Sequence, residues 1–127
     1  MGPLLGRIDI HVEVPAVPFK ELRGNPAVES SADIRARVEQ ARAVQHGRGF
    51  YNARMPARDI RKACALDDAG ERTLEMAVRR MGLSARAHDR ILKVARTIAD
   101  LGRSAPVTAK HVAEAVQYRS LDRNYWT

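Results

Sequence analysis

A single cysteine, Cys64, in 127 residues excludes an internal disulfide and a cysteine-based metal cluster by count alone. Its plain reading is a small buried hydrophobe on a helix. No apolar run approaches the ~20 residues that span a bilayer, and the N-terminus lacks the charged, apolar and small-residue regions of a secretory signal in that order. A cytoplasmic protein with no membrane partner is therefore expected. Catalytic signatures are missing as well. There is no Gly-x-Ser-x-Gly elbow, no carboxylate pair marked by its spacing, and no glycine-rich phosphate loop ending in Gly-Lys-Ser or Gly-Lys-Thr. The four histidines, His11, His46, His88 and His111, are dispersed, and none has a second ligand at the three- or four-residue step of a helical zinc site, so no metal centre is expected. By itself the chain shows no active site, and no cofactor is expected for it alone.

What is present is charge on a helical framework. A 45% apolar and 29% charged composition reads as one soluble globular domain. The net charge of +7 and pI near 10.3 raise the possibility of nucleic-acid binding. Of the 22 basic residues only four are lysines, Lys20, Lys62, Lys93 and Lys110. The arginines are scattered along the chain, which suits a solvated surface better than a groove that follows a phosphate backbone.

The strongest helical pattern runs from Gly82 to Leu101, GLSARAHDRILKVARTIADL. His88, Ile91, Leu92, Ala95, Ile98 and Ala99 recur at steps of three and four and trace one buried stripe. Arg86, Arg90, Lys93, Thr97 and Asp100 fall on a second, charged face. Two cations one turn apart repel mildly unless something anionic lies between them. Ser84 caps this helix and Gly102 follows it. His88, on the apolar stripe, is expected to be a satisfied core imidazole.

Around it the chain predicts further helices. Ser30 or Ser31 can cap the next helix, and Ser30 with Asp33 three residues on resembles a capping box; the helix is lined by Ile34, Val38, Ala41 and Val44 or Gln45, and Gly47 and Gly49 close it. Arg48, Gly49, Phe50 and Tyr51 superficially resemble part of an RNA-binding strand, but the flanks are helical, and a loop with two anchoring aromatics is the better reading. Pro56 suits the first turn of a short helix carrying Ile60, Ala63 and Cys64. Asp67 or Asp68 opens the next, lined by Leu74, Ala77, Val78 and Met81 and closed by Gly82. Thr108 caps the last, where Val107 and Val112 can form a hydrophobic staple and Val112, Ala115 and Val116 face inward. Trp126 lies in a short tail.

Ile8 to Val14 is different. Ile8, Ile10, Val12 and Val14 alternate with Asp9, His11 and Glu13, the pattern of a half-buried strand, and Pro15 and Pro18 stop it. No other segment alternates convincingly, so its sheet is expected to lie outside this chain. The fold class expected is all-α: a small bundle of about five helices preceded by one orphan β-strand and a connector that includes Gly24 and Asn25.

Three stretches taken together, GPLL-x-RIDIHVEVP, GLSARAHDRILKVARTIADL and EAVQYRSLDR, resemble the C-terminal part of the magnesium-chelatase-like AAA+ ATPases of the ComM/YifB type. The resemblance covers nearly the whole chain. It implies that residues 1–29 end an AAA+ core, that 30–120 form the helical C-terminal lid, and that 121–127 are a tail. It further implies that Arg7 matches an arginine finger reaching the γ-phosphate held by a neighbouring subunit, and that Arg86 matches the sensor-two arginine of a lid helix. Gly6 stands where the family usually has Asp. Arg90, one turn after Arg86, is a third candidate, although a salt bridge to a carboxylate would satisfy it equally well. The parent is implied to bind ATP with Mg2+, to assemble as a homo-oligomeric ring with its own upstream core, and to act on DNA in competence and recombination. Nothing in the chain suggests a porphyrin site. The plainer reading of Arg86 is a surface arginine, yet a cation at a helix N-terminus is disfavoured by the dipole and calls for a compensating anion.

The alternative reading is a stand-alone basic helix-turn-helix, with residues 68–81 and 85–101 as its two helices and the second in a DNA major groove.

Overall fold

A computed structural model describes residues 7–16 and 28–119. The expectations for Gly6, Pro18, Gly24, Asn25 and the tail with Trp126 lie outside the described residues. Within them the fold is an all-α bundle: α1 (Ser31–Arg48), a 3-10 turn (Asn52–Arg54), α2 (Ala57–Ala63), α3 (Asp68–Met81), α4 (Ala85–Leu101) and α5 (Ala109–Gln117).

The helix boundaries follow local chemistry. The Ser30 hydroxyl accepts from the Asp33 amide at 3.1 Å, the Asp67 carboxylate from Gly70 at 2.7 Å and the Ser84 hydroxyl from Ala87 at 3.1 Å, each satisfying an otherwise orphaned N–H. Gly49 and Gly82 close α1 and α3 in the left-handed region, at φ 103° and 60°, where a Cβ would be strained. Pro56 sits one residue earlier than expected, as the N-cap of α2. The end of α4 also departs from expectation. Gly102 has φ −86°, and Arg103 takes the left-handed conformation at φ 57°. The Ser104 amide reaches back to the Ala99 carbonyl at 2.8 Å, the return bond of a Schellman-type close. At α5 the Nδ1 of His111 accepts the Thr108 amide at 3.0 Å and completes a capping box.

Helix α4 is the centre of the bundle. It packs against α1, α2, α5 and the 3-10 turn, while α3 packs on α5. Ile91, Ala95 and Ala99 of α4 and Val107, Val112 and Ala115 are fully buried, and Met55, Ile60, Cys64 and Leu74 complete the core around them. An isolated parallel bridge between Leu66 and Val107 ties the approach to α3 to the approach to α5. Gly70 stands at this junction: a Cβ there would lie 3.2 Å from Leu66 Cβ and 3.6 Å from the Ala109 amide.

Three sequence expectations are corrected. First, residues 7–16 form no strand, and the alternation does not sort burial: of the seven alternating residues only His11 is buried, while Asp9 and Glu13 are exposed and Ile8, Ile10, Val12 and Val14 are 43–81% exposed. Alternation defines two faces but not that either is covered, and the contacts of Asp9 and His11 with α4 and the end of α5 hold the segment here. Second, the α4 stripe is shifted and widened. Val94, Arg96 and Asp100 are buried, because neighbours surround the helix on more than one side, and Asp100 therefore does not belong to a solvated charged face. His88, at 41% side-chain exposure, is paired with Asp89 at 3.1 Å and is no core residue. Third, α1 buries Ala41 and Gln45 but leaves Ile34, Val38 and Val44 exposed.

Candidate functional site

The Ser84 cap fixes the start of α4 and sets Arg86 as its second residue. Arg86 is exposed. Neither Arg86 nor Arg7, also exposed, forms a side-chain hydrogen bond or ion pair among the described residues. The dipole repulsion at Arg86 is therefore uncompensated within the fold. One turn later the Nη1 of Arg90 meets the Asp9 carboxylate at 3.0 Å. Asp9 also lies 3.8 Å from Nη1 of the buried Arg119, and that same nitrogen is 3.5 Å from the Ile8 carbonyl. The His11 amide donates to the Tyr118 carbonyl at 2.6 Å. These contacts bind residues 7–16 to α4 and to the end of α5. They bring the segment carrying Arg7 beside the helix carrying Arg86 and Arg90, with Asp9 as the link, although Arg7 itself touches neither arginine.

Several hollows adjoin α4, one of them, of about 670 Å³, against Arg48, Arg96, Asp100 and Arg103. A groove of about 360 Å³ runs between the N-terminal segment and the bundle, lined by Asp9, Ile10, Val12, Lys93 and Thr97 among others. A pocket of about 370 Å³ is lined by Ile60, Cys64, Leu74 and Leu92 with Glu71, His88 and Asp89. Burial pushes the Cys64 thiol up to about 11, against a smaller opposing pull from Arg96 and Arg48, so it is neutral at physiological pH and a poor nucleophile. Among the described residues no group of three His, Cys, Asp or Glu is placed to hold a metal ion, and no helix is long and apolar enough to cross a membrane.

The polar cluster that the sequence did not disclose lies at the other end of α4. Asp100 accepts from Arg48 at 2.5 and 3.0 Å, from Asn52 Nδ2 at 2.9 Å and from Arg96 Nε at 3.2 Å. Asn52 also donates to the Thr97 hydroxyl at 3.0 Å, and its amide N–H to Gln45 Oε1 at 2.9 Å. Arg96 donates onward to the carbonyls of Ser104 at 2.7 Å and Ala105 at 2.8 Å. Burial alone would raise the Asp100 pKa. The hydrogen bonds from Arg48 and Asn52, with the charges of Arg96 and Arg48, hold it below the usual carboxylate value. Arg48 is raised correspondingly, chiefly by its hydrogen bond to Asp100. The cluster joins α1, the 3-10 turn and α4, and every group in it is engaged with the fold. The one available signal was the i,i+4 spacing of Arg96 and Asp100.

Packing also bears on the helix-turn-helix alternative. Helices α3 and α4 are joined by the expected turn at Gly82 and Ser84, but α4 packs against α1, α2, α5 and the 3-10 turn, and its exposed residues are confined to its ends, at Ala85, Arg86 and Leu101. A recognition helix needs a free face to enter a groove.

Residues 28–119 match the family described as magnesium chelatase, subunit ChlI C-terminal. The chain is 41% identical over 124 residues to competence protein ComM of Haemophilus influenzae, and 42% identical over 124 residues to the uncharacterized protein YifB of Escherichia coli K12; each match covers 96% of this chain and 24% of the relative. An uncharacterized protein of Mycobacterium tuberculosis H37Rv is 37% identical over 127 residues, covering 93% of this chain and 24% of that protein. The chain thus spans about a quarter of the length of the curated relatives it matches, in their C-terminal part.

Proposed function

Because the chain belongs to the magnesium chelatase, subunit ChlI C-terminal family, we propose that it serves as the helical lid of an AAA+ ATPase and contacts nucleotide held by an upstream core. Arg86 is the sensing residue. Its guanidinium is permanently charged, exposed and set by Ser84 on the first turn of the central helix, where a phosphate would supply the missing anion. Arg7 is the candidate finger, reaching a γ-phosphate bound by a neighbouring subunit in a ring. Fingers of this kind contribute on the order of 10³- to 10⁵-fold in related hydrolases. Mg2+ bound with ATP would neutralise charge between the β- and γ-phosphates. The lid supplies arginines that orient phosphate oxygens bidentately.

The observation that carries this reading is the exposed, unengaged Arg86 on the capped turn next to the Asp9–Arg90 junction that holds the Arg7 segment. Two further features support it. The aliphatic residues Ile8, Ile10, Val12 and Val14 are 43–81% exposed, apolar surface that an upstream core would cover. The share of the relatives that lies outside this chain is ample for such a core. Similarity to a protein named for competence supports a parent that acts in competence; work on DNA in recombination, from the cytoplasm, belongs to the same proposal.

The test is Arg86→Ala in the full-length protein. Loss of nucleotide-dependent assembly or of ATP turnover, with the melting temperature unchanged, is the expected result. Unaltered turnover and assembly would remove the proposed role.

A further inference from the structure

Asp9 joins the two halves of the candidate site, and its surroundings differ from those of the other central carboxylate. Asp100 is enclosed, with 1% side-chain exposure. The Asp9 side chain is 48% exposed and that of Arg90 22%, so water and dissolved anions can reach the pair. An ion pair of this kind contributes little stability and is readily exchanged. A phosphate group offers Arg90 more acceptor oxygens and more charge than one carboxylate does. The Asp9–Arg90 pair therefore holds a guanidinium, one turn from Arg86, on an internal anion that a stronger external one can displace.

The pair also matters to the segment that carries it. Among the described residues, the contacts that tie 7–16 to the bundle include the Asp9 pairs, the 2.6 Å bond from the His11 amide to Tyr118 and the 3.5 Å approach of Arg119 to the Ile8 carbonyl. The segment forms no β-ladder, and its aliphatic residues are 43–81% exposed. Arg7 lies two residues before Asp9, so whatever loosens Asp9 changes the freedom of Arg7.

We infer that Asp9 is an electrostatic latch: it occupies Arg90 in place of a phosphate, and a phosphoanion arriving at the Arg86–Arg90 turn takes Arg90 from it and loosens residues 7–16. This role rests on the nucleotide-contact reading of Arg86. Anion binding at the lid helix is thereby converted into freedom of the segment that bears Arg7. Asp9 is a positioning residue, since it touches Arg90 and not the nucleotide.

The experiment uses the 127-residue chain with pyrophosphate as the probe, at ionic strength held constant with sodium chloride. Arginine side-chain Nε–H resonances report on Arg86 and Arg90, and amide exchange at His11 reports on the segment. Pyrophosphate is expected to shift both arginine signals and to speed His11 exchange. Asp9→Asn is expected to bind pyrophosphate about 1.5- to fivefold more tightly, the range that a half-exposed ion pair can withhold, and to show no further change at His11 on adding it. If Asp9→Asn loosens the segment without tightening pyrophosphate binding, Asp9 is structural only and the latch is overturned. If pyrophosphate shifts Arg86 but leaves Arg90 and His11 unchanged, the latch falls and the nucleotide-contact reading stands. If it shifts neither arginine, the latch falls, and the nucleotide-contact reading is decided by the Arg86→Ala turnover of the full-length protein.

Discussion

Replacing Asp100 by alanine tests whether α4 is held by its polar end as well as by its apolar stripe. The substitution removes the acceptor shared by Arg48, Asn52 and Arg96. Arg96, whose side chain is 6% exposed, keeps its carbonyl partners but loses the one carboxylate it pairs with among the described residues. Removing one member of a buried ion pair costs about 3–5 kcal/mol, because the remaining charge stays desolvated. Against a total stability of about 5–15 kcal/mol for a domain, that is a large share. With about 4–8 °C per kcal/mol for a domain near this size, melting should fall on the order of 12–40 °C. Arg48→Met should cost less, since the Arg48 side chain is 23% exposed and its loss leaves Asp100 with Arg96 and Asn52. The two changes should be non-additive by about 0.5–3 kcal/mol. The pH dependence follows from the lowered folded-state pKa of Asp100. Its stabilisation is fully present above the unfolded-state value of about 3.9 and is lost as pH falls through the folded-state value. The gap in urea midpoint between wild type and Asp100→Asn should therefore close in acid. A melting temperature for Asp100→Ala within a few degrees of wild type at neutral pH would refute the argument.

Other substitutions probe single elements. Arg103→Gly should stabilise the chain by up to about 1 kcal/mol in urea unfolding, because φ 57° costs a side chain that glycine does not carry, and the loss of the exposed contact to Gln40 offsets only part of this. Gly70→Val should destabilise by about 1–3 kcal/mol by thermal melting, since a Cβ there already crowds Leu66 and the Asp67 cap. Cys64, buried and shifted upward to about 11, should react with a disulfide reagent at pH 8 only at the rate of unfolding, and Gly70→Val should accelerate it.

Much of the bundle was legible because its punctuation is local. Ser30, Asp67, Ser84 and Thr108 cap the helices they appeared to cap, and Gly49 and Gly82 close theirs, since these roles depend on a few neighbouring atoms. The direction a face takes is not local. The alternation of Ile8 to Val14 was visible, but contacts of Asp9 and His11 with Arg90, Arg119 and Tyr118, all more than 75 residues away, left His11 buried and the aliphatic row exposed. The same limit concealed the Asp100 cluster. A hydrophobic pattern reads a buried Arg–Asp pair as surface, and only the crowding of α4 by α1 and the 3-10 turn reveals it. His88 failed in the opposite sense, since its place on the stripe ignored the edge of the covered arc. Of the candidate site, Arg7, Arg86 and Arg90 were named from the sequence. Asp9, which links them, was seen only as an outward residue of a strand.

The central claim, that this lid reads nucleotide through Arg86, is tested most directly by ATP turnover of the full-length protein carrying Arg86→Ala, with the melting temperature measured alongside. A fall of at least about tenfold in kcat, equivalent to about 1.4 kcal/mol in the transition state, with unchanged melting is the outcome this account requires. Wild-type turnover in a folded Arg86→Ala protein would contradict it.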